Sequence, residues 1–320
     1  MSLAKPKIWQ AGMIALARSP RITNFMQRNA AASALAGRFV VGATVAGACE
    51  AASRLQADGF KASLYYLGEY VADPTKVSRT VEHKIETARR LGEAGLEIHI
   101  SLDLTQIGYS IGEAIGSDNA QRIGAAIAHQ PGVTRKILMF NMEDAGFVDR
   151  TLKLRAQLRE RNVPVAQTLQ AYLRRTEGDM RGIIAEGAAA RLVKGAYVDA
   201  GSHAFATGAE IDRNYLDVAA VMLDPTARES GFYPIFGTHD ERMIGPIRAL
   251  ASKQGWHPGE YEFEMLYGIR PELQRRLRDQ GERVRLYLPF GEDWFPYAVR
   301  RVGESPRNAW LLARALLSKR

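Results

Sequence analysis

The stretch EIHISLDLTQIG, residues 97–108, contains the strand pattern from which the fold prediction starts. Over the nine residues from Leu96 to Leu104 the apolar residues have even numbers and the polar residues have odd numbers. Such alternation predicts a β-strand with one apolar face. Asp103 follows the polar parity and lies near the carboxyl end of this strand, directly before the loop of residues 105–108. The chain therefore places a carboxylate where a strand gives way to a loop.

Seven further runs of apolar or β-branched residues predict strands along the chain. With the first, the predicted strands cover residues 62–68, 96–104, 136–142, 163–170, 191–197, 232–238, 261–266 and 284–289. Amphipathic helical patterns separate them, and a last one follows the eighth strand. Eight strands that each precede a helix predict an α/β fold, a (βα)8 barrel of the TIM type. A doubly wound sheet also alternates strands and helices, but no Gly-x-Gly-x-x-Gly motif follows a strand here.

The N-terminal part differs from the rest, because residues 1–58 are rich in alanine and poor in strand formers. We therefore expect an N-terminal helical segment over residues 1–58 and a single barrel domain over residues 59–320. Cys49 is the only cysteine of the 320 residues, which excludes an intramolecular disulfide and a cysteine-based zinc cage. No apolar run reaches the ~18 residues that a membrane-spanning helix needs.

The chain is strongly basic, with a formal net charge of +8 and a pI near 9.6. Such a balance suits acidic ligands, nucleic acid or an anionic membrane surface. Arginine and lysine are spread along the chain, however, and no aromatic-basic RNA-binding motif is present. The basic composition is the only feature that supports a nucleic-acid partner, so we expect none.

The barrel gives Asp103 a possible role. Outward-facing strand residues pack under the helices and should be apolar, whereas inward-facing residues at the C-terminal rim build the active site of such barrels. Asp103 has the polar parity and the rim position, so it is a candidate site residue. The alternative is a carboxylate that caps the following turn, which is a common role for aspartate.

Residues 297–304, YAVRRVGE, place four polar side chains on one helical face: Tyr297, Arg300, Arg301 and Glu304. Two adjacent arginines beside a tyrosine make a fork that suits a carboxylate. This helix follows the eighth strand after a short loop, so we expect it to begin at the barrel mouth. The alternative is a solvated basic face.

Residues 191–199, RLVKGAYVD, place Arg191 and Lys194 in an otherwise apolar predicted strand. Arg191 and Tyr197 share one parity, and if that face points inward it offers a cation and a phenol to a bound anion. Gly195 would let a ligand approach the backbone closely. A lysine at the edge of a strand is also commonly solvated, which leaves a structural role open.

Two more strand ends carry polar side chains. Thr238 and His239 could bond a phosphate or a ribose, although Thr238 or Asp240 would also serve as a helix N-cap. Gln170 could offer its amide to a heterocycle or have a purely structural role. The sequence has no His-Glu-x-x-His motif, and we predict no metal. These residues fit a site that binds an anionic small molecule and leaves the chemistry to an organic cofactor.

At these residues the sequence resembles the proline dehydrogenase family, in its short monofunctional bacterial form. The matching blocks are LGE (67–69), LTQIG (104–108), MED (142–144), LQAYLRRT (169–176), RLVKGAYVD (191–199), GTHDER (237–242), YEFEMLYGIR (261–270) and RVRLYLPFGEDWFPYAVRRVGESPRN (283–308). The resemblance implies a distorted (βα)8 barrel with FAD at its mouth and oxidation of L-proline to 1-pyrroline-5-carboxylate, the first step of proline catabolism. It also implies a quinone or another electron acceptor, a cytoplasmic location and peripheral contact with the inner membrane face.

The same resemblance assigns roles to individual residues. The residues that it places against FAD are Met142, Gln170, Arg191, Val193, Lys194, Gly195, Ala196, Thr238 and His239. The catalytic residues that it implies are Arg191, near the reactive nitrogen of the flavin, Asn141 and Tyr197. The substrate-binding residues are Asp103, Tyr287, Tyr297, Arg300 and Arg301, with the arginines on the substrate carboxylate. Glu304 would help to hold the last helix in place.

Four positions depart from the family pattern. The usual aspartate, lysine, aspartate and glutamine are replaced here by Tyr65, Asp103, Asn141 and Glu264. In the family, the lysine gives positive charge near the substrate carboxylate and pairs with the aspartate of the third strand. Asp103 inverts that charge, which costs about 1 kcal/mol or more beside a carboxylate, and a hydrogen bond to Asn141 would keep only the contact. Two alternatives follow: a flavin dehydrogenase of another cyclic imino acid or secondary amine, or a member that binds FAD but has lost proline turnover.

Overall fold

The computed structural model describes residues 37–68, 71–195 and 202–303, and for residues 299–303 it describes the backbone alone. Eight parallel strands pair in sequence order and close into a barrel, with the first strand bonded to the last. The strands are β1 (Lys61–Tyr66), β2 (Ile98–Leu102), β3 (Lys136–Phe140), β4 (Val165–Gln170), β5 (Ala189–Val193), β6 (Tyr233–Gly237), β7 (Glu262–Leu266) and β8 (Val284–Phe290). Each lies within or overlaps a predicted strand, so the predicted (βα)8 barrel is confirmed.

Helices follow the strands and pack around them. Numbered from the first described one, they are α1 (Val45–Ala57), α2 (Pro74–Glu93), α3 (Glu113–Ala128), α4 (Val148–Glu160), α5 (Thr176–Ala185), α6 (Gly208–Met222), α7 (Pro225–Glu229), α8 (Glu241–Lys253), α9 (Pro271–Asp279) and α10 (Trp294–Gly303). Among the residues described, no helix combines the length and the apolar character that a membrane crossing requires.

Helix α1 falls in the predicted N-terminal helical segment. It contacts β1, β8 and α2. Thr44 caps its start, because the Thr44 hydroxyl oxygen accepts a hydrogen bond from the Gly47 N–H at 3.2 Å. Residues 1–36 lie outside the described residues. The predicted boundary between residues 58 and 59 therefore stays a prediction.

The alternation along the strands sorts their side chains into two sets. Outward-facing residues such as Leu64, Ile100 and Leu102 are buried against the helices, as the barrel predicts. The apolar layer inside the barrel is small and consists of Ile137, Met139, Ala166, Tyr233 and Ile235. Much of the interior is filled instead by charged and polar side chains, among them Arg285, Glu262 and His99. The candidate site lies among these inward-facing polar side chains.

The end of β5 differs from the prediction. The strand stops at Val193, so Lys194 and Gly195 follow it rather than lie within it. Gly195 has φ +105°, which L side chains rarely adopt, and a Cβ added there would lie 2.2 Å from the Tyr172 ring. This turn ends the strand, and it leaves Lys194 at the rim of the barrel.

Candidate active site

Arg191 is the charged centre of the barrel mouth. It lies in β5 and is almost fully buried. Its Nη1 donates to Glu264 Oε1 at 2.8 Å, and its Nε and Nη2 donate to Thr168 Oγ1 at 3.1 and 2.9 Å. Its Nη2 also donates to Asn141 Oδ1. Partners from β4, from β7 and from the end of β3 thus fix the guanidinium in a buried site, where charges act strongly.

Asp103 follows β2 directly and begins the 3₁₀ turn Leu104–Gln106. Its buried carboxylate accepts a hydrogen bond from Asn141 Nδ2 at 2.7 Å and another from the Tyr65 hydroxyl. The predicted contact between Asp103 and Asn141 is therefore confirmed. The backbone N–H of Asp103 meets the turn, where it donates to Gln106 Oε1 at 3.3 Å. Asp103 thus begins the turn with its backbone and contacts two predicted site positions with its carboxylate.

Two tyrosine rings connect Asp103 with Arg191. The rings of Tyr65 and Tyr287 stack with their centroids 5.5 Å apart, and the Arg191 guanidinium lies 5.4 Å from the Tyr287 centroid. Burial raises the pKa of Tyr287 well above its ordinary value, so its phenol keeps its proton. We call this connected set the mouth cluster; it consists of Tyr65, Asp103, Asn141, Thr168, Arg191, Glu264 and Tyr287.

The other predicted substrate residues lie on or near α10. Tyr297 is buried in a small apolar cluster with Tyr65, Leu67 and Phe39. Helix α10 begins at Trp294, four residues after β8, so it starts at the mouth as predicted. The backbones of Arg300 and Arg301 belong to α10, but their side chains lie outside the described residues. So do three further predicted positions entirely, Ala196, Tyr197 and Glu304.

Gln170 ends β4 beside Val193 of β5. Its Nε2 lies 3.3 Å from the carbonyl oxygens of Met142 and Glu143 and donates to them. Its Oε1 is buried and has no hydrogen-bond partner in the described part of the chain. A buried acceptor without a donor is unfavourable. The Gln170 Nε2 thus has a structural role, whereas its Oε1 is suited to accept a hydrogen bond from a ligand N–H.

An open cavity of about 410 Å³ lies beyond the ends of β5 and β6. Its lining residues are Lys194, Gly237, Thr238, His239, Asp240 and Arg270. Lys194 pairs with Asp240 at 2.8 Å and also with Asp212. Asp240 caps α8 by accepting from the Arg242 N–H at 3.1 Å, which confirms the N-cap alternative for this residue. Hydrogen bonds from Arg242 hold the pKa of Asp240 well below its ordinary value, so Lys194 faces a carboxylate.

The residues around this cavity fit a nucleotide cofactor. Lys194 and Arg270 offer cations to a diphosphate, and Thr238 offers a hydroxyl. At Gly237 an added Cβ would lie 2.7 Å from the Val193 side chain, so the backbone there is kept bare. Gln170 Oε1 at the neighbouring strand end has no hydrogen-bond partner among the described residues, so this edge of the barrel has polar groups for both ends of FAD.

Three buried residues come close enough to share a metal ion. Ligand atoms of His99, Glu262 and Glu264 all lie within 4.8 Å of one another. Both carboxylates already face arginines, Glu262 meeting Arg285 at 2.6 Å and Glu264 meeting Arg191 at 2.8 Å. Burial lowers the pKa of His99 well below its ordinary value, so its ring is neutral. Because two guanidinium groups would repel a cation there, we assign no metal to these residues.

Two buried residues beside the site are not among those predicted from the sequence. Thr168 lies in β4 and accepts the bonds from Arg191, and Lys84 lies in α2 and donates to the Ser101 carbonyl oxygen at 2.8 Å. For Lys84 a signal was present, because it occupies the buried apolar stripe of α2. The apolar members of that stripe are Val77, Val81, Ala88 and Leu91. A lysine at such a position indicates a buried partner.

The fold and the site define a (βα)8 barrel with a fixed arginine at its mouth and a cation-lined cavity that fits a nucleotide cofactor. Residues 48–313 match the family model described as proline dehydrogenase. The chain belongs to the proline dehydrogenase family.

Curated relatives agree with this assignment. The chain is 35% identical over 288 residues to a proline dehydrogenase of Deinococcus radiodurans, which covers 88% of this chain and 90% of the relative. It is 33% identical over 284 residues to proline dehydrogenase 1 of Bacillus subtilis strain 168, covering 89% of this chain and 91% of the relative. The likeness to both therefore extends over nearly the whole of each chain.

Solved structures show the same fold. Proline utilization A from Bdellovibrio bacteriovorus, inactivated by N-propargylglycine, superposes with a TM-score of 0.76 at 21% identity. The match covers 90% of this chain and 34% of that chain. Proline utilization A from Corynebacterium freiburgense superposes with a TM-score of 0.71 at 18% identity, over 99% of this chain and 35% of that one. The chain spans about a third of the length of these solved proteins, and at such identities the likeness concerns the fold alone.

Proposed function

We propose that the protein oxidises L-proline to 1-pyrroline-5-carboxylate with FAD, the first step of proline catabolism. Membership of the proline dehydrogenase family makes the chain an oxidoreductase that acts on proline. The observation that carries the proposal is the buried guanidinium of Arg191, which Glu264, Thr168 and Asn141 fix at the mouth.

The ends of β3 to β6 would hold the cofactor. The residues that we assign to FAD are Met142, Gln170, Arg191, Val193, Lys194, Gly195, Ala196, Thr238 and His239. When bound, FAD supplies the acceptor for the hydride that leaves the substrate carbon beside the ring nitrogen. Arg191 acts as a fixed cation that stabilises the negative charge arriving with the hydride. Its three polar neighbours hold it in position, so little reorganisation is needed during the reaction.

The substrate would lie between the mouth cluster and α10. We assign Arg300 and Arg301 to its carboxylate, for which they would form a fork, and Tyr197, Tyr287 and Tyr297 to the walls around its ring. Because burial keeps Tyr287 protonated, its ring and hydroxyl present a neutral wall to the substrate. Asn141 links this wall to the guanidinium of Arg191.

A quinone or another electron acceptor would take the electrons onward. The net charge of +8 supports peripheral contact of a cytoplasmic protein with an anionic inner membrane face. A flotation assay with anionic and neutral vesicles tests this part of the proposal separately. Binding to anionic vesicles that salt abolishes is the expected result, and equal recovery with both vesicle types would contradict it.

The test of the activity is anaerobic flavin bleaching. Purified protein loaded with FAD is mixed with L-proline, and D-proline of the opposite hand is the matched control. We expect the visible absorbance of the flavin to fall with L-proline and 1-pyrroline-5-carboxylate to accumulate, as detected by mass spectrometry. A flavin that stays oxidised with L-proline would contradict proline turnover while leaving FAD binding intact.

A second candidate function is the oxidation of another cyclic imino acid or of a cyclic secondary amine without a carboxylate. The observation that favours it is the Asp103 carboxylate in the mouth cluster, which attracts an ammonium group and repels a carboxylate. Pyrrolidine and larger-ring imino acids, added to the same bleaching assay, separate this candidate from proline oxidation. A third outcome, FAD binding with no bleaching by any of them, would indicate a binding protein that has lost turnover.

A further inference from the structure

Lys84 is buried in the wall of the barrel. It lies on α2 with 1% of its surface exposed, in a stripe of apolar residues that packs against β1 and β2. Burying an ammonium group away from water is costly unless a partner compensates for it. The partner must therefore lie within the barrel wall.

The contacts of Lys84 lead directly to the mouth cluster. Its Nζ donates to the carbonyl oxygen of Ser101, two residues before Asp103, at 2.8 Å. The same Nζ lies 5.3 Å from the centroid of the Tyr65 ring, a distance at which a cation is attracted to a ring face. The Tyr65 hydroxyl in turn donates to the Asp103 carboxylate. Lys84 thus lies on the helix side of the barrel wall, close to Asp103, which replaces the expected lysine of the second strand.

The electrostatics of Lys84 agree with these contacts. Burial lowers the pKa of Lys84 from 10.5 to about 7, and the negative charge of Asp103 limits that fall. In the described part of the chain, Asp103 is the charged group that acts on it. On the neighbouring helix α1, burial raises the pKa of Cys49 to about 11, so that thiol is neutral.

We propose that Lys84 is a positioning residue of the substrate site, which supplies from outside the barrel the positive charge that the second strand lacks at Asp103. The inference rests on the proposed function and deepens it, since it names the substrate class. Lys84 and Asp103 together carry no net charge when the lysine is protonated. The mouth then accepts a zwitterionic cyclic imino acid, whereas Asp103 alone would favour a cyclic amine without a carboxylate.

The charge balance at the mouth changes with pH. As pH rises through about 7, Lys84 loses its proton and with it the positive charge that it contributes beside Asp103. The other groups that face this pair are Tyr65 from β1, Tyr287 from β8 and Arg191 from β5. The KM for proline should therefore rise with pH relative to the inhibition constant of pyrrolidine, which lacks the carboxylate and serves as the matched ligand.

Three variants separate an electrostatic role from a purely structural one. In FAD-loaded protein at pH 6.5 (about half a unit below the lysine's pKa), Lys84→Met should raise the KM for proline about fivefold to tenfold. The inhibition constant of pyrrolidine should stay level or fall. Asp103→Asn added to Lys84→Met removes both charges, and the ratio of the two constants should return toward that of the wild type. Asp103→Asn alone should favour proline further.

The outcomes are distinct. If Lys84→Met shifts both ligands equally and the added Asp103→Asn restores nothing, the lysine is structural and the inference is wrong. If Lys84→Met does not fold, the pH dependence of the two constants in the wild-type protein decides, and a ratio that stays constant between pH 6 and 8 overturns the inference. If the wild-type protein neither bleaches with proline nor binds it, the proposed function fails first and this inference falls with it.

Discussion

The barrel holds two buried clusters of arginine and glutamate, and they differ in how completely their polar atoms are bonded. The base cluster, at the amino-terminal ends of the strands, consists of Arg283, Arg285, Glu97, Glu262 and Tyr233. The mouth cluster, at the carboxyl-terminal ends, is centred on Arg191 and Glu264. Among the arginine and carboxylate atoms of the two clusters, Glu264 Oε2 of the mouth cluster is the one that is buried without a hydrogen-bond partner in the described part of the chain.

The base cluster is closed. Arg285 donates from Nε to Glu262 at 2.6 Å, from Nη1 to the Ala62 carbonyl oxygen at 2.7 Å and from Nη2 to Glu97 at 2.8 Å. Arg283 bonds the same two glutamates, so two positive charges balance two negative ones. All three nitrogens of the Arg285 guanidinium thus have partners among the described residues, and the network ties β7 and β8 to the start of β2.

The mouth cluster is incomplete by comparison. Glu264 Oε2 is buried and has no hydrogen-bond partner among the residues that the structure describes, and the same holds for Gln170 Oε1 at the end of β4. Buried polar atoms are normally bonded, so unsatisfied ones mark a place where a ligand or water completes the arrangement. A charged barrel interior can therefore have a structural role at one end and a functional role at the other.

The largest effect is expected from breaking the base cluster. Arg285→Met leaves Glu262 and Glu97 with one arginine between them, and should lower the free energy of unfolding by about 3–5 kcal/mol. Denaturant titration followed by circular dichroism measures this loss. The control is Arg122→Met, which removes the exposed pair with Glu82 and should cost less than about 1 kcal/mol. Equal losses in the two variants would contradict a structural role for the base cluster.

Removing the whole ion pair of the mouth cluster should have the opposite effect, with little change in stability and a large loss of turnover. The double change Arg191→Met with Glu264→Gln takes away both charges, which is often nearly neutral for stability. Turnover of proline should nevertheless fall about 10²–10³-fold, since the fixed cation is lost. Steady-state kinetics on FAD-loaded protein and a denaturant titration test the two halves of this prediction. Retained turnover would show that Arg191 is not the charge that stabilises hydride transfer.

The smallest effect is expected in the pH dependence of stability, to which Glu97 of the base cluster contributes. Burial opposes ionisation of Glu97, but Arg285 and Arg283 outweigh it and lower its pKa from 4.5 to about 2. A carboxyl with a lowered pKa stabilises the fold above pH 4.5, and this contribution is lost as pH falls through about 2. The wild-type protein should lose about 1–3 kcal/mol in that window, and Glu97→Gln should lose less. Parallel acid titrations of the two proteins, monitored by fluorescence, would contradict the assignment if their curves had the same shape.

The fold could be predicted from the sequence because strand parity and helix periodicity are local properties. The alternation in residues 96–104 gave the inward face of β2 and the rim position of Asp103, and the contact with Asn141 followed from the family resemblance. The end of β5 was placed too late, because a left-handed glycine at position 195 breaks the strand. Its apolar pattern continues beyond the break, and pattern alone cannot show a backbone angle.

From the sequence alone came the barrel, the inward face of β2 and the prediction that the site lies at the carboxyl-terminal rim. Only the tertiary structure decided which charges meet. Lys84 and Asp103 are separated by 19 positions and belong to different elements, and Arg285 of β8 bonds Glu97, which directly precedes β2. Such partners are set by the closure of the sheet, which brings distant strands and helices together in three dimensions. A local pattern records which side chains are buried, but not which partner balances each buried charge.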